Sequence, residues 1–240
     1  MRSSVFCSLI VATLAVAGCG GGSGSSNPTP TTPTAPTVVA NRVPSITNVT
    51  LSPAFGVSGV TVISMSATAT DADNDALTYQ WSFAGKTMSG STVASAVTGD
   101  GAVTVDLTVT DGKGGTARDS RTVTIGSMNG RWTFIFTGAC SPAVPTVLPI
   151  LALTQTENLV TGDLTSPAAW CNVPAGQGGK LDPAAPAKID ADGNFTGARL
   201  KIGSYQDTFL TGKMDSTGRT ITGTTRANLG STSTFRMVKQ

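Results

Sequence analysis

The chain has 240 residues, of which 28 are Gly and 13 Pro; 12% are charged, none is His, and the formal net charge is +2. That balance lacks the clustered Lys and Arg of a nucleic-acid-binding protein, and without an imidazole neither a Ser-His-Asp nor a Cys-His arrangement can be built. The length suits one or two domains, and beyond the N-terminal stretch nothing approaches the ~18 unbroken apolar residues of a membrane helix.

In chain order, Arg2 precedes an apolar stretch from Val5 to Val16, and small residues follow it. Such a run is too short to span a bilayer as a mature helix and reads as a secretory signal. Leu14-Ala15-Val16-Ala17-Gly18-Cys19 resembles the lipobox of bacterial lipoproteins. The resemblance implies that residues 1–18 are a lipoprotein signal peptide, that cleavage falls before Cys19, and that the thiol and new amine of Cys19 carry acyl chains such as palmitate. It places the protein in the bacterial cell envelope, lipid-anchored at the outer membrane. Several chains on one residue anchor stably where one would not. The alternative is an ordinary signal peptide with an incidental cysteine. Losing residues 1–18 removes Arg2 and takes the balance from +2 to +1.

Residues 19–40 then comprise the lipidated cysteine and a disordered tether. Gly20 to Gly24 give a flexible coil, and Asn27-Pro28-Thr29-Pro30-Thr31-Thr32-Pro33-Thr34-Ala35-Pro36 favours stiff extended chain. A segment so poor in apolar residues buries too little to fold alone.

From residue 41 to 126 the pattern alternates. Ile63, Met65, Ala67 and Ala69 share one strand face; Leu77, Tyr79, Trp81 and Phe83 share another; Val103, Val105, Leu107 and Val109 form a third; Val123 and Ile125 close a fourth. Period-two alternation punctuated by turns argues a two-sheet sandwich. The run Ala69-Thr70-Asp71-Ala72-Asp73-Asn74-Asp75-Ala76-Leu77-Thr78-Tyr79-Gln80-Trp81, with the later Leu107-Thr108-Val109-Thr110-Asp111-Gly112, resembles the PKD and cadherin-like Ig-fold modules of bacterial surface proteins. The resemblance implies a core position for Trp81. Ser82-Phe83-Ala84-Gly85 departs from the acidic, Gly-rich turn usual in that family.

Asp71, Asp73 and Asp75 alternate in one turn and Asp111 stands in another. In an Ig-type sandwich these two loops lie at the same end, so four carboxylates converge and offer the oxygen ligands of a Ca²⁺ ion. The competing reading is turn chemistry, since Asp and Asn cap their own backbone. No bidentate Glu follows at the twelfth position, so the run is not an EF-hand.

Residues 129–240 repeat strand and turn. Strands are expected near 131–137, 147–156, 159–165, 186–190, 194–202, 206–214, 219–226 and 231–238, with turns at Asp192-Gly193-Asn194, Asp215-Ser216-Thr217-Gly218 and Asn228-Leu229-Gly230. About eight antiparallel strands suit a small up-and-down β-barrel. The Gly130-Arg131-Trp132 opening loosely resembles lipocalin-like and avidin-like barrels. Trp132, Phe134 and Phe136 share one face and form either a ligand-lining wall or packed core. Ser166 to Pro186 reads as a long loop, with Trp170 as a candidate ligand-binding residue. Arg199, Lys201, Lys213, Arg219, Arg226 and Arg236 recur on late strands, as a basic face or as solvated surface.

Of four cysteines, Cys7 falls in the signal and Cys19 takes the lipid, leaving Cys140 and Cys171 as a disulfide pair in an oxidising compartment. Two thiols without His are too few ligands for a zinc site. The chain therefore reads as all-β: an Ig-like sandwich followed by a small antiparallel barrel, after a signal and linker. The functional expectation is a non-enzymatic surface lipoprotein, an Ig-like spacer or adhesion module presenting a recognition barrel. Its partners are the membrane, through the lipid, and an envelope polysaccharide or surface protein, with no nucleic acid. The alternatives are a carrier of a small apolar ligand inside the barrel and a polysaccharide-active accessory protein.

Overall fold

The structure, a computed structural model, describes residues 39–137, 148–166, 169, 174–202, 207–227 and 230–240. Cys19, Cys140, Trp170 and Cys171 lie outside the described residues, as does the sequence assigned to the signal and most of the tether. Regular secondary structure among the described residues is all strand.

The first part carries β1 (Ser45–Ser52), β2 (Phe55–Val57), β3 (Val62–Thr70), β4 (Thr78–Phe83), β5 (Lys86–Ser89), β6 (Thr92–Ala96), β7 (Gly101–Thr110) and β8 (Thr116–Gly126). Two sheets form, in the orders β1-β3-β6 and β2-β8-β7-β4-β5. The edge strand β2 pairs parallel to β8 while the other pairs are antiparallel. The expected apolar rows face each other between the sheets: Ile63, Met65, Trp81, Phe83, Val105, Leu107, Val109, Val123 and Ile125 are all buried. Trp81 is fully enclosed, and its indole N–H, which would otherwise be an unpaired buried donor, bonds the Gly90 carbonyl at 2.9 Å. The unusual Ala84-Gly85 turn closes the β4–β5 hairpin with φ of 49° and 75°, so the departure from the family pattern is accommodated in a tight two-residue turn.

The second part carries β9 (Gly130–Thr137), β10 (Ile150–Thr156), β11 (Leu159–Thr165), β12 (Gly178–Leu181), β13 (Ala187–Ile189), β14 (Asn194–Ile202), β15 (Thr208–Met214), β16 (Thr220–Ala227) and β17 (Thr232–Lys239). β9 pairs with both β10 and β17, and β10 pairs on with β11, so the sheet closes on itself. β12 and β13 pair successive stretches of the same two neighbours, β11 and β14, and together fill one place in the wall. The result is a closed antiparallel barrel of eight places, with no exposed sheet edge. β12 falls inside the Ser166–Pro186 stretch that the sequence reads as loop: Gly178-Gly179-Lys180-Leu181 carries one inward apolar side chain, too little alternation to register as a strand.

Inside the barrel, Trp132, Phe134, Leu151, Val160, Phe195, Leu200, Leu210, Ile221, Phe235 and Met237 meet in one continuous core. The alternation in β14 breaks between Phe195 and Ala198, both buried, because a bulge there holds Gly197 at φ 71° and returns the chain to register. The Phe235 ring lies against two facing glycines: Gly212 pairs with Gly223, Gly223 pairs with Phe235, and a Cβ on Gly212 would meet the ring at 3.0 Å.

The sandwich and barrel share part of this core. Val57 and Met128 belong to the barrel cluster, and Phe55 and Val60 pack against it. Polar ties surround the contact. The Gln155 side chain donates to the Ser58 carbonyl at 2.7 Å and accepts from the Met128 amide at 2.8 Å. The buried Thr61 hydroxyl donates to the Ala191 carbonyl at 3.0 Å, and Lys239 bridges Asp100 at 2.6 Å and the Ser127 carbonyl at 2.8 Å. The sandwich thus caps the barrel end formed by the turns near Glu157, Ala191 and Gly218.

Candidate functional site

The sequence singles out four aspartates at one end of the sandwich, and the structure brings three of them together. Asp71, Asp73 and Asp75 each place a carboxylate oxygen within 4.8 Å of the others. Part of this is local turn chemistry, because Asp71 Oδ1 accepts from the amides of Asp73 at 2.8 Å and Asp75 at 3.2 Å. Asp71 Oδ2, by contrast, is buried with no hydrogen-bond partner among the described residues. A buried acceptor left unpaired is costly, and an orphan carboxylate oxygen beside two further carboxylates is a donor set that fits a hard, oxygen-seeking cation such as Ca²⁺.

Asp111 does not join them, which corrects the four-carboxylate reading. Its side chain is 3% exposed and fully engaged elsewhere: Asn41 Nδ2 donates to Oδ2 at 2.8 Å, and the Lys113 and Gly115 amides donate to Oδ1 at 2.7 and 2.9 Å. The Asn41 hydrogen bond, with those of the two amides, holds its carboxyl below the usual range against the opposing effect of burial. The aspartate closes its own loop and ties it to the start of the folded chain.

Trp132 is also corrected as a ligand contact. It is fully buried, and its indole N–H donates to the Met128 carbonyl at 2.8 Å. Phe134 stacks on Phe235 with ring centroids 5.4 Å apart. The aromatic row is core, and the interior that an apolar cargo would occupy is filled by side chains.

What the barrel offers instead is its outer wall. Cross-strand pairing sets Arg199, Phe209, Arg226 and Thr232 side by side across β14 to β17. The next outward row holds Thr211, Thr224 and Thr234, and the row beyond it Asn194, Lys213, Thr222 and Arg236. Phe209 is the apolar anomaly of this wall at 42% exposure. The Arg199 guanidinium lies 5.9 Å from its ring centroid. Phe209 is one wall of a groove that Thr211, Thr224, Arg226 and Thr232 also line.

Arg199 is fixed in place by carboxylates. It bonds Asp207 through Nε at 2.9 Å and through Nη2, and reaches Asp182 at 3.3 Å. Lys201 reaches the same Asp182 at 2.8 Å. The Lys201 hydrogen bond, then the Ala184 amide, holds the Asp182 carboxyl below its usual range. The Lys and Arg recurrence in the sequence thus resolves into two kinds of residue. Arg199 and Lys201 are paired, whereas Arg226 and Arg236 are exposed with no acidic partner among the described residues. Arg219 belongs to neither kind: it sits in the turn at the capped end and donates to the Lys239 carbonyl at 3.5 Å. Phe209 escapes a search for chemical motifs. The signal that exposes it is phase: Leu210 and Met214 face inward, so Phe209 one position earlier faces out.

Residues 47–125 match the family described as PKD domain, which agrees with the sandwich and its buried Trp81. No curated protein matches the chain. Among solved structures, similarity is found to one from a study of promiscuous specificity in carbohydrate-binding modules of the β-sandwich superfamily, at 16% identity and TM-score 0.35, covering 84% of this chain and 93% of that one. Another is the Bacteroides ovatus mixed-linkage glucan utilization locus protein SGBP-B in complex with a mixed-linkage heptasaccharide, at 13% identity and TM-score 0.29, covering 80% of this chain and 66% of that one.

Proposed function

We propose that this protein is a non-catalytic, lipid-anchored envelope protein that binds polysaccharide on the outer wall of its barrel. Cys19 attaches it to the outer membrane, the tether gives reach, and the PKD-type sandwich is a stiff pedestal for the barrel. The observation that carries the binding role is Phe209, a large apolar ring exposed on a wall of hydroxyls and guanidinium groups. An aromatic face next to fixed hydrogen-bonding groups suits a pyranose ring, whose C–H face is apolar and whose hydroxyls need partners at its rim. The filled interior supports an external site over an internal carrier. The continuous core between pedestal and barrel supports the spacer role, because it seats the barrel firmly on the sandwich.

The test is retention of the full-length protein, held in detergent, on a panel of insoluble and gel-embedded polysaccharides. At least one polymer is expected to retard it, and Phe209→Ala is expected to weaken that retardation about tenfold, about 1.4 kcal/mol. Retardation by none, or by all equally in both proteins, rules the role out. Anchoring is tested separately: Cys19→Ser should release a folded protein from the membrane fraction.

A further inference from the structure

We infer that the polymer recognised on this wall is acidic, with carboxylates meeting Arg226 and Arg236 while one sugar ring lies on Phe209; this rests on the polysaccharide reading above. The argument begins with charge. The three outward rows of β14 to β17 hold Arg199, Arg226, Lys213 and Arg236 and not one Asp or Glu. The protein neutralises some of these itself. Arg199 is matched by Asp207 and Asp182, and Asp182 also takes the neighbouring Lys201. Arg226 and Arg236 are left without an acidic partner among the described residues and are exposed. The chain therefore supplies carboxylates for the cations on one flank of Phe209 and none for those on the other.

Position strengthens the point. Arg226 is the direct cross-strand partner of Phe209, which puts their side chains about 5 Å apart at the Cβ atoms. A ring stacked on Phe209 thus presents its substituents to a guanidinium whose planar fork matches a carboxylate. Arg236 pairs with Thr222, four residues along from Arg226 and one strand over. At ~3.4 Å per residue and ~4.8 Å per strand the two lie about 14 Å apart. One small anion cannot bridge that gap. A polymer carrying a charge at intervals can, and the threonine row between the two arginines faces its neutral hydroxyls. A neutral polymer would keep the contact with Phe209 and hydrogen bonds to its hydroxyls but would bring no charge to the two guanidinium groups.

The experiment compares polygalacturonate with its methyl ester, the same backbone with its charge removed. Full-length protein in detergent is titrated with each at low and moderate salt. Binding to polygalacturonate is expected to be at least tenfold tighter and to weaken with salt, as screened charge contacts do. Arg226→Gln and Arg236→Gln should each lose several-fold on polygalacturonate and markedly less on the ester, with melting temperature unchanged because both side chains are exposed. Phe209→Ala should weaken both. Equal binding to the two polymers, or an unaltered Arg226→Gln variant, overturns the inference. Retention on neutral polysaccharides alone also overturns it while leaving the wider binding role intact, and retention on no polysaccharide removes both. Equal binding to vesicles of anionic phospholipid, with the same loss in Arg226→Gln, would assign the wall to a lipid surface and overturn it.

Discussion

Gly126 and Gly218 meet backbone to backbone: a Cβ on Gly218 would lie 2.7 Å from the Gly126 Cα, and one on Gly126 would lie 3.0 Å from the Gly218 Cα. Gly126 ends the last sandwich strand and Gly218 closes a barrel turn, so this contact sets how closely the two sheets systems approach. Gly218 also has φ 71°, whereas Gly126 has no positive φ. Substitution at 126 therefore reads the steric term alone. Gly126→Ala should push on Met214 and Phe55, whose atoms lie 2.4 and 3.0 Å from the added carbon. Overpacking of this kind costs about 1–3 kcal/mol, or roughly 2–12 °C of melting temperature at this size. Calorimetry should show one transition for the native chain, because Val57 and Met128 are common to the barrel core, and a broadened or split transition for the variant. Two resolved transitions in the native protein would mean that the shared core does not couple them.

The filled barrel leads to a second expectation. Phe235 is 2% exposed, stacks on Phe134 and covers Gly212 and Gly223. Neither of the two facing glycines has a side chain to move into the space it leaves. Phe235→Ala should lose about 3–5 kcal/mol and open an apolar cavity. A fluorescent apolar dye should then bind the variant and stay dark with the native protein. Dye uptake by the native barrel, displaceable by fatty acids, would revive the internal-carrier alternative.

The barrel is legible in sequence because its strands obey period two and its turns carry signals such as Asp192-Gly193 and Asp215-Ser216-Thr217-Gly218. The spans 159–165 and 194–202 coincide with β11 and β14, and eight strands were expected where eight places exist. β12 is hidden because two of its four residues are glycines, and at one of them the wall approaches closely: a Cβ on Gly179 would lie 2.8 Å from the Lys201 carbonyl oxygen. The edge strands β1, β2, β5 and β6 were missed for a related reason: short or half-exposed strands alternate weakly. The site was less legible than the fold. Four aspartates in two adjacent loops look alike in sequence, and only the position of Asn41 separates Asp111 from the rest. Likewise Arg199 and Arg226 look equivalent until Asp207 and Asp182 are seen beside one of them.

Asp111 makes stability sensitive to acid. Its carboxyl is depressed in the folded chain, chiefly by Asn41 and then by the Lys113 and Gly115 amides. A group with a lowered folded value stabilises the fold above its unfolded value, near 3.9, and that contribution is lost as pH falls through the folded value. Asp182, depressed by Lys201, acts in the same direction. Melting temperature should therefore fall as pH drops below about 4. Asp111→Asn should flatten that slope while lowering stability at neutral pH, since an amide nitrogen would then face the Asn41 Nδ2 donor in place of the acceptor Oδ2. An unchanged slope in the variant would exclude Asp111 as a source.

Calcium should act at the neighbouring turn and leave Asp111 uninvolved. If Asp71, Asp73 and Asp75 hold a cation, binding to the folded state alone raises the melting temperature by mass action. At 100 times the dissociation constant the gain is about 2.7 kcal/mol, roughly 5–11 °C for a chain of this size. Asp73→Ala and Asp71→Asn should abolish the rise, and Asp111→Asn should preserve it. Melting curves that coincide in calcium and in chelator would leave the three carboxylates as turn chemistry alone.

The disulfide expectation can be argued from where the strands end. β9 ends at Thr137 and β11 at Thr165, both at the barrel end opposite the sandwich, and β10 alone separates them in the wall. Thr165 pairs with Ile150 and Ile150 with Thr133, so Thr137 lies four residues along and two strand spacings over from Thr165, about 17 Å away. Cys140 follows three residues after β9 and Cys171 six residues after β11, and chain segments of that length reach about 10 and 20 Å. The spacing therefore permits a bridge without moving either strand. Closing that loop of about 30 residues is worth roughly 3–4 kcal/mol in the chain-entropy model. Peptide mapping of unreduced protein should find Cys140 and Cys171 joined, and reduction should lower the melting temperature by about 6–16 °C. Rapid alkylation of both thiols in the native, air-exposed protein would rule the bridge out.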